Sequence, residues 1–103
     1  MPLIKEREHA VDYDKFYELI LLAKGEDRSL RDYAKDAGVS HSIFTKIKKS
    51  EFKPGIDTII NFVSSQASPR NGVTAVDFME AAGIPKSVFY KKLQDYWRQL
   101  KYM

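Results

Sequence analysis

From Tyr13 onward the apolar residues recur at the three- and four-residue intervals of helices that bury one face. Phe16, Ile20 and Ala23, with Leu19 alongside, set a first helix of about 12 residues. Asp12 or Asp14 can cap its start, and Gly25 stops it. Ser29 followed by Asp32 has the Ser-x-x-acid pattern of a second helix start. There the hydroxyl accepts a free backbone N–H and the carboxylate favours the positive helix end. This predicts a helix from Leu30 to about Ala37, with Gly38 where the chain must reverse. Ser40 is the expected cap of a third helix running through Lys49. Pro54 prevents that helix from continuing, and Ile56, Ile59, Ile60 and Val63 supply the stripe of a fourth. A polar loop from Gln66 to Gly72 leads to Thr74, the expected cap of a fifth helix ending near Ala82. Pro85 fits the start of a last helix, Lys86 to about Tyr102. Residues 1–12 carry mixed charge without a clear period and read as an N-terminal arm or a short extra helix.

Composition limits the architecture to one compact domain, because 103 residues with 44% hydrophobic content bury a single modest core. The net charge of +3 is mild, but its distribution is uneven. Residues 1–27 carry four cations against seven carboxylates, a net −3, whereas residues 40–53 carry four lysines against Glu51, a net +3. A polarised surface with a basic third helix is the expectation. Cysteine is absent, which excludes disulfides and thiolate metal sites and makes a reducing cytoplasm the natural home. No apolar run approaches the roughly 20 residues of a membrane span, and the first residues lack a signal-peptide apolar region. The expected location is therefore cytoplasmic, with no membrane partner.

The stretch from Ser29 to Phe62, SLRDYAKDAGVSHSIFTKIKKSEFKPGIDTIINF, has the spacing of two helices joined by a tight turn with a third locked behind them. That is a helix-turn-helix pattern, and it makes double-stranded DNA the leading ligand. Ala34, Gly38-Val39-Ser40, Phe44, Ile47, Pro54, Thr58, Ile59 and Phe62 hold this register without a gap. On these residues, positions 13–84 resemble the phage repressor/Cro class, the xenobiotic-response-element-type helix-turn-helix regulators. The resemblance implies an all-α fold with a repressor-like five-helix helix-turn-helix domain over residues 13–84, to which the segment after Pro85 adds a C-terminal helix in 85–103.

An α-helix enters the major groove only if another helix braces its back, so the third helix must be apolar on one side and hydrogen-bonding on the other. Phe44 and Ile47 fall on the inner side with Tyr33, Ala37 and Val39, while His41, Ser42, Thr45, Lys46 and Lys49 fall outside. The resemblance carries base reading over to His41, Ser42 and Lys46, and the outward Thr45 joins them as a base-reading candidate. Backbone contacts would come from Ser29, Arg31, Lys35, Ser40, Lys48, Lys49 and Lys53 and the N-terminal amides of the second and fourth helices. The sequence departs from the family at four slots. An arginine–glutamate pair is replaced by Ala23 and Lys48, a glutamine at the second helix start by Leu30, and a glycine after the third helix by Ser50.

Residues 75–97 realign on residues 30–52 at a constant offset, matching Ala37/Ala82, Gly38/Gly83, Ser42/Ser87, Phe44/Phe89 and Lys46/Lys91. AAGIPKSVFYKKL also resembles the recognition helix of tetracycline-repressor-type regulators, which would place Lys86, Ser87, Tyr90 and Lys91 at DNA. The same segment carries Val88, Phe89, Leu93, Tyr96, Trp97 and Leu100, an apolar stripe suited to dimerisation or to docking within the chain. The two histidines, His9 and His41, have no cysteine or carboxylate at ligand spacing, and no nucleophile–base pair or phosphate-cradling glycine loop is recognisable. Neither metal, cofactor, small-molecule ligand nor enzymatic activity is expected. The expectation is a homodimeric, sequence-specific regulator that binds promoter DNA, most simply a repressor. The alternative is an antitoxin-like or anti-repressor-like protein-interaction module that uses the C-terminal aromatic helix on a helix-turn-helix scaffold.

Overall fold

A computed structural model describes residues 11–85 together with residues 87, 88, 90, 91, 94 and 95. The described residues form helices α1 (Tyr13–Lys24), α2 (Leu30–Ala37), α3 (Ser42–Lys48), α4 (Ile56–Phe62) and α5 (Ala75–Ala82), with no strand among them. Ser87, Val88, Tyr90, Lys91, Gln94 and Asp95 are also helical. The remainder of the arm expected over 1–12, and Lys86, Phe89, Leu93, Tyr96, Trp97 and Leu100 of the tail, lie outside the described residues.

Local signals set most boundaries. Asp12 accepts from the Lys15 backbone N–H at 3.0 Å, so it is the cap of α1 and not part of a detached arm. Its own N–H donates to Ala81 O at 2.8 Å, laying the start of α1 across the end of α5. Ser29 caps α2 by accepting from Asp32 N at 3.0 Å. Thr74 and Asp77 cap α5 reciprocally, each side chain accepting the other's backbone N–H. At α3 the structure corrects the expected cap. The helix begins at Ser42 and ends at Lys48, with no side-chain cap hydrogen bond, and the Ser40 hydroxyl pairs with that of Ser42 at 3.0 Å. Tight i→i+3 bonds from Ile43 N to Ser40 O and from Phe44 N to His41 O make up the first turn.

The core sits where one ring from each helix meets: Phe16, Tyr33, Phe44, Phe62 and Phe78, all 0–1% exposed. Of the predicted α4 stripe, Ile59 is buried, Ile56 and Val63 pack partly buried against the core and Ile60 is half-buried, while Phe62 is fully buried beside them. Phe62 lies 6.1, 5.8, 5.8 and 5.5 Å from the ring centroids of Phe16, Tyr33, Phe44 and Phe78. Each such pair contributes about 0.5–1.5 kcal/mol beyond its buried area. The Tyr33 hydroxyl donates to Phe62 O at 2.8 Å inside the core. Around this cluster α1 packs on α3 and α5, and α4 on α5.

The last carbonyls of α1 lack the partners of a helix interior and draw donors from beyond the helix end, some of them far along the chain. Asn71 donates to Leu22 O at 2.8 Å and Arg70 N to Ala23 O at 2.8 Å. Arg28 donates to Ala23 O at 2.9 Å and Lys24 O at 3.0 Å, and also to Ala67 O, Ser68 O and the Asp36 carboxylate. Its guanidinium lies 5.0 Å from the Tyr33 ring centroid. Arg70 further hydrogen-bonds Asp27 at 2.9 Å, which holds the Asp27 carboxyl below the usual carboxylate range. Gly25 makes the tight exit from α1 at φ 77°, ψ 174°, a region open essentially to glycine alone. An added Cβ there would lie 2.6 Å from Arg70 Cγ.

Gly25→Ala should destabilise by about 3 kcal/mol or more, from strain plus the clash, and Gly38→Ala by about 1 kcal/mol, from backbone strain alone. The Gly38 position (φ 74°) has no atom within 4 Å of an added Cβ. Denaturant midpoints check the order, and equal losses would contradict the packing at Gly25. Burial pushes the Tyr33 phenol above the ordinary tyrosine range. Folding therefore favours the protonated phenol, and stability should fall as pH rises above about 10, where the unfolded phenol ionises first. Tyr33→Phe should cost about 1 kcal/mol at neutral pH and flatten that alkaline loss, measured by urea unfolding across pH.

Candidate nucleic-acid interface

α3 is built as a two-sided helix. Phe44 and Ile47 are 1% and 0% exposed, and the Phe44 ring stacks on Tyr33 at 5.9 Å, which fixes the helix from behind. On the opposite side His41, Ser42, Thr45, Lys46 and Lys49 are all exposed. Ile43 is half-buried against the core edge and pads the helix. The row predicted from helical spacing is thus presented to solvent as one surface of donors and hydroxyls.

The turn before α3 is closed by backbone geometry. Gly38 takes φ 74°, ψ 30°, its N–H donating to Lys35 O and that of Val39 to Ala34 O. The same closure recurs after α3, where Ser50 N donates to Ile47 O and Glu51 N to Lys46 O. Ser50 sits at φ 61°, a left-handed conformation that costs a non-glycine residue about 1–2 kcal/mol.

Among the expected backbone contacts, Ser29, Arg31, Lys35, Ser40, Lys48, Lys49 and Lys53 are exposed. They are not equivalent. The Ser29 hydroxyl is engaged as the α2 cap and that of Ser40 by Ser42. Lys48 leans back on α1, its ammonium 5.5 Å from the Tyr17 ring centroid. Tyr17, Leu30, His41, Phe44, Thr45, Lys48 and Lys49 line an open depression where α1 meets α3. Helical spacing does not single out Tyr17, because on α1 alone it is one more half-buried aromatic. In the tail, Ser87, Tyr90 and Lys91 are exposed, as is Val88 of the predicted dimerisation stripe. Among the described residues no group of three metal-ligating side chains comes together, and no helix is long and apolar enough to cross a membrane.

Ser50→Gly should raise stability by about 1 kcal/mol through relief of the left-handed strain, read as a shift in thermal midpoint. A neutral or destabilising result would mean that Ser50 does not hold this conformation.

No family model matches the chain, and no curated protein or solved structure matches it either.

Proposed function

We propose that this protein is a sequence-specific, double-stranded-DNA-binding transcriptional regulator of the phage repressor/Cro class, most simply a repressor, with α3 entering the major groove. The observation that carries the reading is the exposed row His41, Ser42, Thr45, Lys46 and Lys49 on a helix whose back is buried through Phe44 and Ile47. A rigid helix with hydrogen-bonding groups on its outer side is what base-edge reading demands. Lys46 can donate to guanine O6 and N7, Ser42 can pair with several bases, and His41 can donate to an acceptor. Arg31, Lys35 and Lys53 add exposed cations of the kind that contact phosphates, as does Lys49 within the row. A homodimer would set two copies of α3 about one helical turn of DNA apart, roughly 10 bp or a multiple.

One feature favours a protein partner instead. Val88 is 50% and Tyr90 49% exposed, and Val88 lines an apolar groove of about 480 Å³ with Lys53, Pro54, Gly55, Ile56, Ile84 and Pro85. In the DNA reading this groove borders the surface that joins two protomers. In the protein-interaction reading it is itself the functional site.

Selection of bound duplexes from a random pool by the full chain should yield a two-fold-symmetric motif with steep salt dependence. Lys46→Ala/Lys49→Ala should weaken binding to that motif by about tenfold to a hundredfold and lower the salt slope by about one. A variant that folds and binds the duplex with unchanged affinity would sink the assignment of α3 as the reading helix.

A further inference from the structure

The repeat visible in the tail sequence is matched by backbone geometry at an offset of 45 residues. α2 and α5 have eight residues each and begin at equivalent positions. Their caps correspond, Ser29 accepting from Asp32 N at 3.0 Å and Thr74 from Asp77 N at 3.4 Å. Their exits correspond as well. Gly38 has φ 74°, ψ 30°, and Gly83 has φ 72°, ψ 26°. Gly38 N and Val39 N donate to Lys35 O and Ala34 O at 3.2 and 3.0 Å, while Gly83 N and Ile84 N donate to Glu80 O and Met79 O at 3.2 and 3.1 Å. The inner positions Tyr33, Ala34 and Ala37 are buried, and so are their counterparts Phe78, Met79 and Ala82.

A capped helix ending in a left-handed glycine is common by itself. The side chains beyond the second turn are what point to a ligand. Ser87, Tyr90 and Lys91 occupy the slots of Ser42, Thr45 and Lys46, are helical, and are exposed as those residues are. Spaced at i, i+3 and i+4, they share one helix face. Residues 85–103 carry five cations against one carboxylate, a net +4, compared with +3 over residues 40–53. The units differ in their brace. Gly38 is exposed, whereas Gly83 is buried, and the start of α1 is tied across the end of α5 by the bond from Asp12 N to Ala81 O.

We propose that α5 and the helical residues Ser87, Tyr90 and Lys91 beyond it form a second duplex-DNA-reading unit, in which Ser87, Tyr90 and Lys91 contact the groove and backbone as Ser42, Thr45 and Lys46 do in the first. This rests on the DNA-binding reading above. Each chain then makes two groove contacts and reads a longer site than α3 alone.

The test compares the unaltered full chain with Tyr90→Ala/Lys91→Ala and Lys46→Ala/Lys49→Ala on the duplex that the unaltered chain selects from a random pool. Affinity at two salt concentrations, footprint and sedimentation are read for each. The tail variant should bind about tenfold more weakly with a salt slope lower by about one. It should lose protection at positions distinct from those lost by the α3 variant, with its oligomeric state unchanged. Unaltered affinity and footprint would overturn the second unit and leave the α3 reading standing. A changed oligomeric state as the sole effect would assign the tail to protomer contact and overturn it equally. If the unaltered chain selects no sequence, both readings fall together. Circular dichroism and melting confirm that each variant is folded, and Lys91→Gln alone carries the slope measurement if the double variant is destabilised.

Discussion

Phe62 is the residue through which the five helices are made into one body. It sits on α4 but touches a ring from each of the other four helices, and its own carbonyl takes the buried Tyr33 hydroxyl. α3 is a helix of only seven residues, far too short to be stable alone. Its position is therefore a consequence of Phe44 packing against both Tyr33 and Phe62, at 5.9 and 5.8 Å. The outward row His41, Ser42, Thr45, Lys46 and Lys49 inherits its rigidity from that stack. This is the physical link between core and surface: the side of α3 available to a ligand is set by what holds the other side.

A second constraint seals the rim of the core. The end of α1 would expose unpaired carbonyls, and the segment leading into α5 is folded back to cover them through Arg70 and Asn71, while Arg28 spans the joint. The Arg28 guanidinium reaches α1, the 67–68 loop and Asp36 of α2 at once, and its side chain is 8% exposed. Its carbonyl bonds lie at a helix C-terminus, where a cation is favoured by the backbone dipole as well as by direct hydrogen bonding. This clamp and the aromatic hub together keep α1 fixed against α3 and α5.

Much of this was legible from the chain. α1, α2 and α5 fall where caps, glycine stops and apolar spacing put them, because these signals act within one helix turn of the residue that carries them. The buried and exposed sides of α3 were legible for the same reason, since a period of 3.6 residues fixes which side chains share a face. The first turn of α3 was not. Ser40 has the side chain of a cap, but the tight turn after Gly38 directs its hydroxyl to Ser42. Likewise Ser50 takes the left-handed conformation at a slot where the resemblance has a glycine, because closing α3 with two backbone bonds requires it.

The sequence by itself determined the number and limits of most helices, the inward side of each, and the row of polar groups on α3, all of them consequences of contacts between near neighbours. Tertiary structure alone decided that Phe62 would be the hub, that Arg28 would be a nearly buried clamp, and that Lys48 would lean on Tyr17. These depend on which side chains from distant segments arrive at the same place. No local period encodes that meeting, because it is fixed only when all five helices pack at once.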